Sequence, residues 1–267
     1  MTVDADRVAA LIAEIAEREM LSRYRRLEKG AVRTKESPSD FVTIVDEAME
    51  RDLKRALLDA TPGAAFIGEE EATANPAVMD KIETAERCWI VDPLDGTRNF
   101  VNHVDEFGVI AAYIERGETI AGWIYAAPIR AFAVAMRGEG VRWRGAAPVT
   151  AAQESAIPIG LRSTGWLREE WKARLTAGLK SNVRSRAGHC SAYAYIKLMT
   201  GEVDFKLSSR IHAWDHAAGT LILNELGGAA RWLDTSAPYC AGPSADRPLL
   251  AVAPGRDWSA IARRLLD

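Results

Sequence analysis

The sequence contains little cysteine and little histidine, with three and four residues in 267. The cysteines, Cys88, Cys190 and Cys240, are odd in number and lack metal-ligand spacing, which favours buried, reduced side chains in a cytosolic protein over a disulfide framework. No HExxH pattern supports a zinc hydrolase, and no GxSxG pattern supports a serine nucleophile. Two common kinds of hydrolase are therefore disfavoured.

An excess of charge of either sign is also missing, since 34 basic and 37 acidic side chains leave a formal net charge of −3. This balance predicts no binding to nucleic acid or to an anionic membrane surface. The most apolar stretch, residues 119–136, is interrupted by Gly122, Pro128 and Arg130, and the first residues lack a signal-peptide pattern, so no membrane partner is expected. Any acidic substrate must then be bound by a local site.

The apolar residues, 48% of the chain, are enough for a large core and follow both helical and strand patterns. Helices are predicted over about 4–28 and 46–60, the second capped by Asp46, and TPGAAFIGEEE predicts a turn, a short strand and an acidic loop. Residues from about 87 to 145 predict an antiparallel meander, after which strands alternate with helices. These patterns imply an α+β or α/β sandwich. We expect one domain, 1–267, with a subdomain seam near 145–155 between parts 1–150 and 151–267.

The segment RCWIVDPLDGTRNF ends an apolar run with two aspartates. If residues 92–95 form a β-turn, Asp92 and Asp95 lie within about 7 Å of each other. Two such carboxylates repel unless a proton or a cation neutralises them, and oxygen-only ligands favour Mg²⁺ over zinc. The alternative that each aspartate only caps a turn stays open. A helix starting at Gly96 and Thr97 would direct free N–H groups at an anion, which indicates phosphate.

Three segments resemble the motifs of the inositol monophosphatase family of Mg²⁺-dependent, lithium-sensitive phosphatases: FIGEE (66–70), WIVDPLDGTRNF (89–100) and WDHAAGTLILNELGG (214–228). They stand in the family's order and spacing. A fourth segment, KESPSDFVTIVD (35–46), resembles the family's mobile active-site loop and the strand after it. The resemblance covers nearly the whole chain. It implies a homodimer of layered α-β-α-β-α sandwiches, of the inositol monophosphatase and fructose-1,6-bisphosphatase type.

The resemblance also implies roles for individual residues. Glu69, Asp92 and the carbonyl of Leu94 match ligands of a first Mg²⁺, and Asp92, Asp95 and Asp215 match ligands of a second, with a weaker third metal near Glu69. Glu69 and Thr97 match residues that orient the attacking water, Asp46 matches a hydrogen-bond partner of Thr97, and Lys35 matches a loop lysine. The amides of Gly96 and Thr97 would hold the phosphate.

Structural alternatives exist for these residues. Glu69 could belong to a solvated acidic loop with Glu70 and Glu71, and Asp215 could be the N-cap of a helix that begins near His216. Their joint occurrence favours a two-metal site, in which cations about 3.5 to 4 Å apart activate water and stabilise the leaving oxygen. A non-catalytic scaffold is the competing class of protein, and the retained acidic residues argue against it.

The substrate is less determined than the chemistry. Inositol-specific members of the family have a glutamate seven residues before the last metal-binding aspartate, where this sequence has Ser208, and their GT or GS helix start is here His189-Cys190. Arg210 suits a substrate with a second anionic group, although Arg210 and His189 could instead pack at a subunit edge. We expect a small phosphorylated metabolite such as inositol 1-phosphate, with histidinol phosphate, fructose 1,6-bisphosphate and 3′-phosphoadenosine 5′-phosphate as alternatives. The residues expected to face it are Asp95, His189, Cys190, Ser191, Ser208 and Arg210.

Overall fold

Two β-sheets form the frame of the protein, which a computed structural model describes over residues 3–27, 32–34, 41–145 and 156–267. The first sheet has the strand order β3-β4-β5-β6-β7-β8, with β3 parallel to β4 and the other neighbours antiparallel. Its strands are β3 (Ala65–Gly68), β4 (Arg87–Asp95), β5 (Gly108–Glu115), β6 (Glu118–Ala126), β7 (Ala131–Met136) and β8 (Val141–Arg144). The predicted meander is therefore confirmed.

The second sheet is mixed and has the strand order β10-β9-β11-β13-β12. Its strands are β9 (Ile159–Ser163), β10 (Arg184–Ala187), β11 (Phe205–Ser208), β12 (Ala229–Trp232) and β13 (Leu249–Val252). Strands β9, β10 and β11 are parallel, whereas β13 runs antiparallel to β11 and β12. A short hairpin of β1 (Val32–Thr34) and β2 (Phe41–Thr43) stands apart from both sheets.

Helices cover the sheets and fill the space between them. They are α1 (Ala5–Ile15), α2 (Ile44–Ala60), α3 (Glu69–Ala74), α4 (Lys81–Thr84), α5 (Thr97–Val101), α6 (Glu169–Ser181), α7 (Ser191–Met199), α8 (Ala213–Glu225) and α9 (Trp258–Leu266). A π-helical turn (Ala16–Leu21) extends α1, and two 3₁₀ turns lie at Pro76–Asp80 and Ala127–Ile129. None of these helices in the described part of the chain is long and apolar enough to cross a lipid bilayer.

The core has three parts, which alternate with the sheets. Side chains alternate along β4, so that Trp89 and Val91 pack with α1 and α2, while Ile90 packs with α7 and α8 on the opposite face. The second sheet covers the other side of α7 and α8, and its far face packs on α6 and α9. The five layers are therefore α-β-α-β-α, as expected, and α8 is buried almost all round because it lies between two sheets.

Several local predictions were wrong. The predicted helix 4–28 changes to π-type hydrogen bonding after Ile15, and the acidic loop after β3 is helix α3. Helix α2 starts earlier than expected: Thr43 is its N-cap, and Asp46 is the third residue of a capping box. Likewise His212, and not Asp215, precedes α8 as its N-cap.

The cysteines agree only in part with the prediction that they are buried and reduced. All three cysteines are free, and Cys88 and Cys190 are buried as expected, but Cys240 is exposed because it lies in the irregular segment between β12 and β13.

The first sheet ends at Arg144 and the second begins at Ile159. Most of the seam expected near 145–155 lies outside the described residues, so a division of the chain there stays a prediction.

Candidate active site

A cavity of about 620 Å³ opens where the ends of the two sheets meet. It is lined by most of the residues singled out from the sequence: Glu69, Asp92, Leu94, Asp95, Gly96, Thr97, His189, Cys190, Ser191, Ser208, Arg210 and Asp215. Asp46 does not line the cavity but contacts it through Thr97. Lys35 lies outside the described residues. Residues from both halves of the chain therefore share one pocket.

The two aspartates of the DPLD segment are brought together by a β-bulge. Strand β4 continues through Asp95, and its register against β5 shifts between Asp92 and Asp95, so the predicted β-turn is wrong. Proline has no N–H for a sheet hydrogen bond, and a bulge is one of the few strand positions that tolerates it. Asp92 Oδ1 accepts a hydrogen bond from the Leu94 N–H over 3.1 Å, which fixes its carboxylate across the bulge.

Three carboxylates converge at the floor of the pocket. One oxygen each from Asp92, Asp95 and Asp215 lies within 4.8 Å of the other two. Burial raises the pKa of Asp92 well above its usual range, and the charges of Glu69, Asp95 and Asp215 raise it further. Burial also raises the pKa of Asp95 and of Asp215 to about 6. Asp92 and Asp95 are buried and Asp215 is half-buried. Clustered oxygen donors with raised pKa values are the ligand set that a hard divalent cation stabilises.

Asp95 also caps helix α7, a role that the sequence did not indicate. Its Oδ1 accepts the N–H of Ser191 over 3.0 Å, and its Oδ2 accepts the N–H of Ala192 over 2.5 Å. The thiol of Cys190 donates to the same Oδ2 over 2.9 Å. Asp95 thus caps the first turn of α7 from another part of the chain and ties the two halves together at the site.

Glu69 is the first residue of α3, and the helix is positioned by Glu50 of α2. The N–H groups of Glu70 and Glu71 donate to the two carboxylate oxygens of Glu50 over 2.8 and 2.9 Å. A Cβ atom on Gly68 would lie 2.2 Å from that carboxyl group, so any other residue before Glu69 would displace Glu50 from the start of α3. Glu69 shares a hydrogen bond with Asp92 and therefore flanks the three-carboxylate cluster.

Thr97 lies at the start of α5, behind which Asp46 is buried. Thr97 Oγ1 lies 2.9 Å from Asp46 Oδ1 and 2.9 Å from the carbonyl of Leu94, and its single proton can be donated to only one of them at a time. Asp46 Oδ2 accepts hydrogen bonds from the N–H and the hydroxyl of Thr43. Burial nevertheless raises the pKa of Asp46 to about 6. The contact between Asp46 and Thr97 that the resemblance implies is present.

Lys206 is a site residue that the sequence analysis missed. It is buried, lines the pocket, and donates from Nζ to Ser191 Oγ over 3.3 Å. Its ammonium also lies 4.9 Å from the centre of the Tyr195 ring. Burial lowers the pKa of Lys206 to about 8, while the charges of Asp215 and Asp95 act in the opposite direction. The floor of the pocket therefore contains a fixed cation beside its carboxylates.

Lys206 could have been found from the sequence, because apolar and polar side chains alternate along β11. Phe205 and Leu207 belong to the core beneath the second sheet, so Lys206 and Ser208 must point to the opposite face. Ser208 is 3% exposed, and its Oγ has no hydrogen-bond partner among the described residues. A buried lysine in the middle of a short strand is unusual enough to mark a site.

The pocket combines buried carboxylates at the end of a strand with the start of a helix, in a layered fold of helices and sheets. This arrangement is typical of enzymes that bind divalent cations and act on phosphorylated substrates. The model of the inositol monophosphatase family matches residues 4–253. The chain therefore belongs to the inositol monophosphatase family, whose members are phosphoric monoester hydrolases.

Two curated relatives have different substrates in their names. An inositol-1-monophosphatase of Bacillus subtilis (strain 168) is 31% identical over 205 residues, or 74% of this chain and 74% of that protein. A fructose-1,6-bisphosphatase/inositol-1-monophosphatase of Thermotoga maritima is 30% identical over 199 residues, or 74% of this chain and 75% of that protein. The family is thus shared, but a single substrate is not indicated.

Solved structures confirm the fold. The IMPase of Thermotoga maritima has a TM-score of 0.77 and 23% identity, with 97% of this chain and 95% of that chain covered. An IMPase/NADP phosphatase solved with Mg²⁺ and phosphate has a TM-score of 0.75 and 20% identity, with 95% and 90% covered. The layered α+β sandwich expected from the sequence is the fold of these proteins.

Proposed function

We propose that this protein is a Mg²⁺-dependent phosphomonoesterase that hydrolyses a small phosphorylated metabolite, with inositol 1-phosphate as the first candidate. The observation that carries the proposal is the meeting of Asp92, Asp95 and Asp215 within 4.8 Å on the floor of a pocket large enough for such a metabolite. Membership of the inositol monophosphatase family supports the same chemistry.

The residues of the floor fit Mg²⁺. Glu69, Asp92 and the Leu94 carbonyl would hold one ion, Asp92, Asp95 and Asp215 a second, and a third would bind more weakly near Glu69. Bound there, Mg²⁺ would supply positive charge that favours deprotonation of water and stabilises negative charge on the phosphoryl and leaving oxygens. Because the carboxylates supply only oxygen donors, we expect Mg²⁺ in preference to zinc.

Thr97 and Glu69 would orient the attacking water. When the Thr97 hydroxyl donates its hydrogen bond to Asp46 Oδ1, its lone pairs are available to accept a hydrogen bond from the water. The carboxylate of Glu69, which lies on the helix start held by Glu50, would accept the water's other hydrogen bond. The first amides of α5, at Gly96 and Thr97, have no partner within their own helix and would donate to the phosphate oxygens.

A bisphosphate is the second candidate substrate. Inositol-specific relatives of the family have a glutamate at the position of Ser208. Here Ser208 and Arg210 both line the pocket, so this side of the pocket offers a cation in place of a carboxylate. Fructose 1,6-bisphosphate would fit this difference. We further expect a homodimer, measurable by light scattering, and inhibition by lithium in the millimolar range; a cytosolic location stays a prediction from cysteine content.

The proposal is tested by phosphate release from four compounds: inositol 1-phosphate, histidinol phosphate, fructose 1,6-bisphosphate and 3′-phosphoadenosine 5′-phosphate. Each is assayed with Mg²⁺, with chelator, and with Asp92→Asn. Release that needs Mg²⁺ and is lost in the variant supports the proposal and identifies the substrate class. Release that persists in chelator contradicts it.

A further inference from the structure

Lys206 lines the pocket, but it has no role in the chemistry proposed so far. It is 6% exposed, and its side chain leaves β11 on the same face as that of Ser208, because residues two apart on a strand point the same way. Its ammonium donates to Ser191 Oγ over 3.3 Å and lies 4.9 Å from the centre of the Tyr195 ring. The other two N–H groups have no acceptor in the part of the chain that the structure describes.

Ser208 indicates that this side of the pocket is built around a ligand. It is 3% exposed, and its Oγ has no hydrogen-bond partner among the described residues. A buried polar atom without a partner is unfavourable, and more so when it belongs to a charged group. A ligand oxygen beside β11 would satisfy the hydroxyl of Ser208 and the remaining N–H groups of Lys206. The two donors therefore point to an oxygen acceptor in the ligand.

The residues that would hold the attacking water lie on one side of the three clustered carboxylates. Thr97 is hydrogen-bonded to Asp46 of α2, and Glu69 begins α3, whose first N–H groups bind Glu50 of α2. Helix α2 packs on the outer face of the first sheet, opposite the face that covers α7 and α8. The water would therefore approach from the outer side of the first sheet.

Lys206 lies on the other side of the clustered carboxylates. Asp215 belongs to α8 and Ser191 to the start of α7, the two helices between the sheets. Lys206 belongs to the second sheet and reaches this helix layer from its far side, where it meets Ser191 and the ring of Tyr195. The order across the layers is therefore Thr97, the carboxylates of β4, Asp215 and then Lys206.

We infer that Lys206 is a further catalytic residue, which donates a hydrogen bond to the ester oxygen that leaves phosphorus. The inference rests on the proposed function. In an in-line displacement the leaving oxygen lies opposite the attacking water. A water held by Thr97 and Glu69 therefore places that oxygen toward Lys206.

The hydrogen bond from Lys206 acts while the ester bond breaks. A bond forms between the water oxygen and phosphorus, the ester P–O bond breaks, and the leaving oxygen keeps the electron pair. The attacking water loses its proton to solvent, the leaving oxygen takes a proton from solvent, and Lys206 keeps its own protons. Because Lys206 is buried and held by β11, its charge is in place before negative charge develops on that oxygen.

The contribution of Lys206 should grow with the basicity of the leaving alcohol, because a more basic oxygen accepts a stronger hydrogen bond. The test follows phosphate release from 4-nitrophenyl phosphate, phenyl phosphate and benzyl phosphate, whose leaving alcohols become more basic in that order, at saturating Mg²⁺. Lys206→Met should lower kcat/KM about a hundredfold for benzyl phosphate and less than about threefold for 4-nitrophenyl phosphate. Lys206→Arg keeps a cation and should restore part of the loss with benzyl phosphate.

Lys197→Met is the matched control, because Lys197 is also buried but pairs with Glu106 outside the lining of this pocket. It should keep the leaving-group dependence of the wild type. A merely structural role of Lys206 would lower the rates of all three esters by the same factor.

An isotope effect gives a second readout, which applies to any ester that the protein hydrolyses, including the four metabolites above. A heavy oxygen isotope in the ester bridge should slow Lys206→Met more than it slows the wild type. The reason is that the leaving oxygen departs with more negative charge when no hydrogen bond stabilises it.

The outcomes separate this inference from the proposed function. Absence of phosphate release from every ester and metabolite contradicts the proposed function and this inference with it. Mg²⁺-dependent release that Lys206→Met lowers equally for all leaving groups, or with an unchanged isotope effect, overturns the inference alone.

Discussion

Replacing Asp92 by asparagine should make the metal-free protein more stable. Asp92 is 3% exposed, and its carboxylate oxygens lie among those of Asp95 and Asp215. Asparagine keeps the Oδ1 acceptor that binds the Leu94 N–H, so the substitution removes charge and retains the hydrogen bond across the bulge. The effect on stability therefore measures the repulsion within the cluster.

The size of the gain follows from distance and protonation. Two unit charges no more than 4.8 Å apart repel by about 3.5 kcal/mol or more at an effective dielectric constant of about 20. Proton uptake by Asp92 itself relieves part of this repulsion, because burial and the charges of Glu69, Asp95 and Asp215 raise its pKa well above the usual range. We therefore expect Asp92→Asn to raise the free energy of unfolding by about 1 to 3 kcal/mol at pH 7.5 in chelator.

The assay is denaturant unfolding in chelator and in excess Mg²⁺, followed by circular dichroism. Wild-type protein should gain stability from Mg²⁺, whereas Asp92→Asn should gain little. Asp52→Asn is the control: Asp52 is also buried, but it accepts hydrogen bonds from Arg51 over 2.9 Å and from Arg18 over 2.7 Å, and these two partners lower its pKa. The same chemical change should there reduce stability by about 1 kcal/mol or more.

Destabilisation of the metal-free protein by Asp92→Asn would refute the reasoning. It would mean that Asp92 acts as an ordinary buried hydrogen-bonded group whose charge is compensated without metal. An undiminished response of the variant to Mg²⁺ would contradict the assignment of Asp92 as a ligand.

Three further predictions concern pH, backbone and charge. Folding of the metal-free protein raises the pKa of Asp46, Asp95 and Asp215 from 3.8 to about 6. The stability that their protonated forms contribute is therefore complete below the unfolded pKa and is lost as pH rises through about 6. Stabilisation by Mg²⁺, measured by thermal unfolding, should grow over the same pH range, and a constant difference in stability with and without Mg²⁺ would contradict this prediction. Gly96→Ala should lower the free energy of unfolding by about 2 to 4 kcal/mol, because Gly96 has φ +86° and a Cβ atom would lie 2.9 Å from the Glu106 carbonyl. Gly117 has φ +81° but open space around it, so Gly117→Ala should lower it by less in the same denaturant assay. Equal losses of stability in the two variants would refute the steric reason. Lys206→Met should raise Mg²⁺ affinity about tenfold in calorimetry, since it removes a buried cation beside Asp215, and unchanged affinity would show that the ammonium does not act on the metal site.

The parts of the fold that the sequence predicts are those with a local signal. The meander from β4 to β8 follows from alternating apolar runs separated by turn residues, and Asp92 and Asp95 stand at the end of the first of these runs. The family resemblance then supplied the five layers, which periodicity alone does not determine. Asp92 and Asp95 could be singled out because two carboxylates end one apolar run, whereas Asp215 was identified only through the family resemblance.

The errors arise where partners from distant parts of the chain decide local structure. Residues 69–74 carry three successive glutamates and read as a solvated loop, but Glu50, about twenty residues earlier, caps their N–H groups and makes them helical. The DPLD segment reads as a turn, but pairing with β5 keeps it in the sheet as a bulge. Neither effect can be read from the segment itself.

Metal dependence of phosphate release is the most direct test of the central claim. Protein stripped with chelator is titrated with Mg²⁺, and the rate of phosphate release is compared with calorimetric binding of the ion in the same buffer, for the wild type and for Asp92→Asn. We predict that rate and binding rise together in the wild type and that both are lost in the variant. Phosphate release before Mg²⁺ is added, or unchanged release by the variant, would contradict the account.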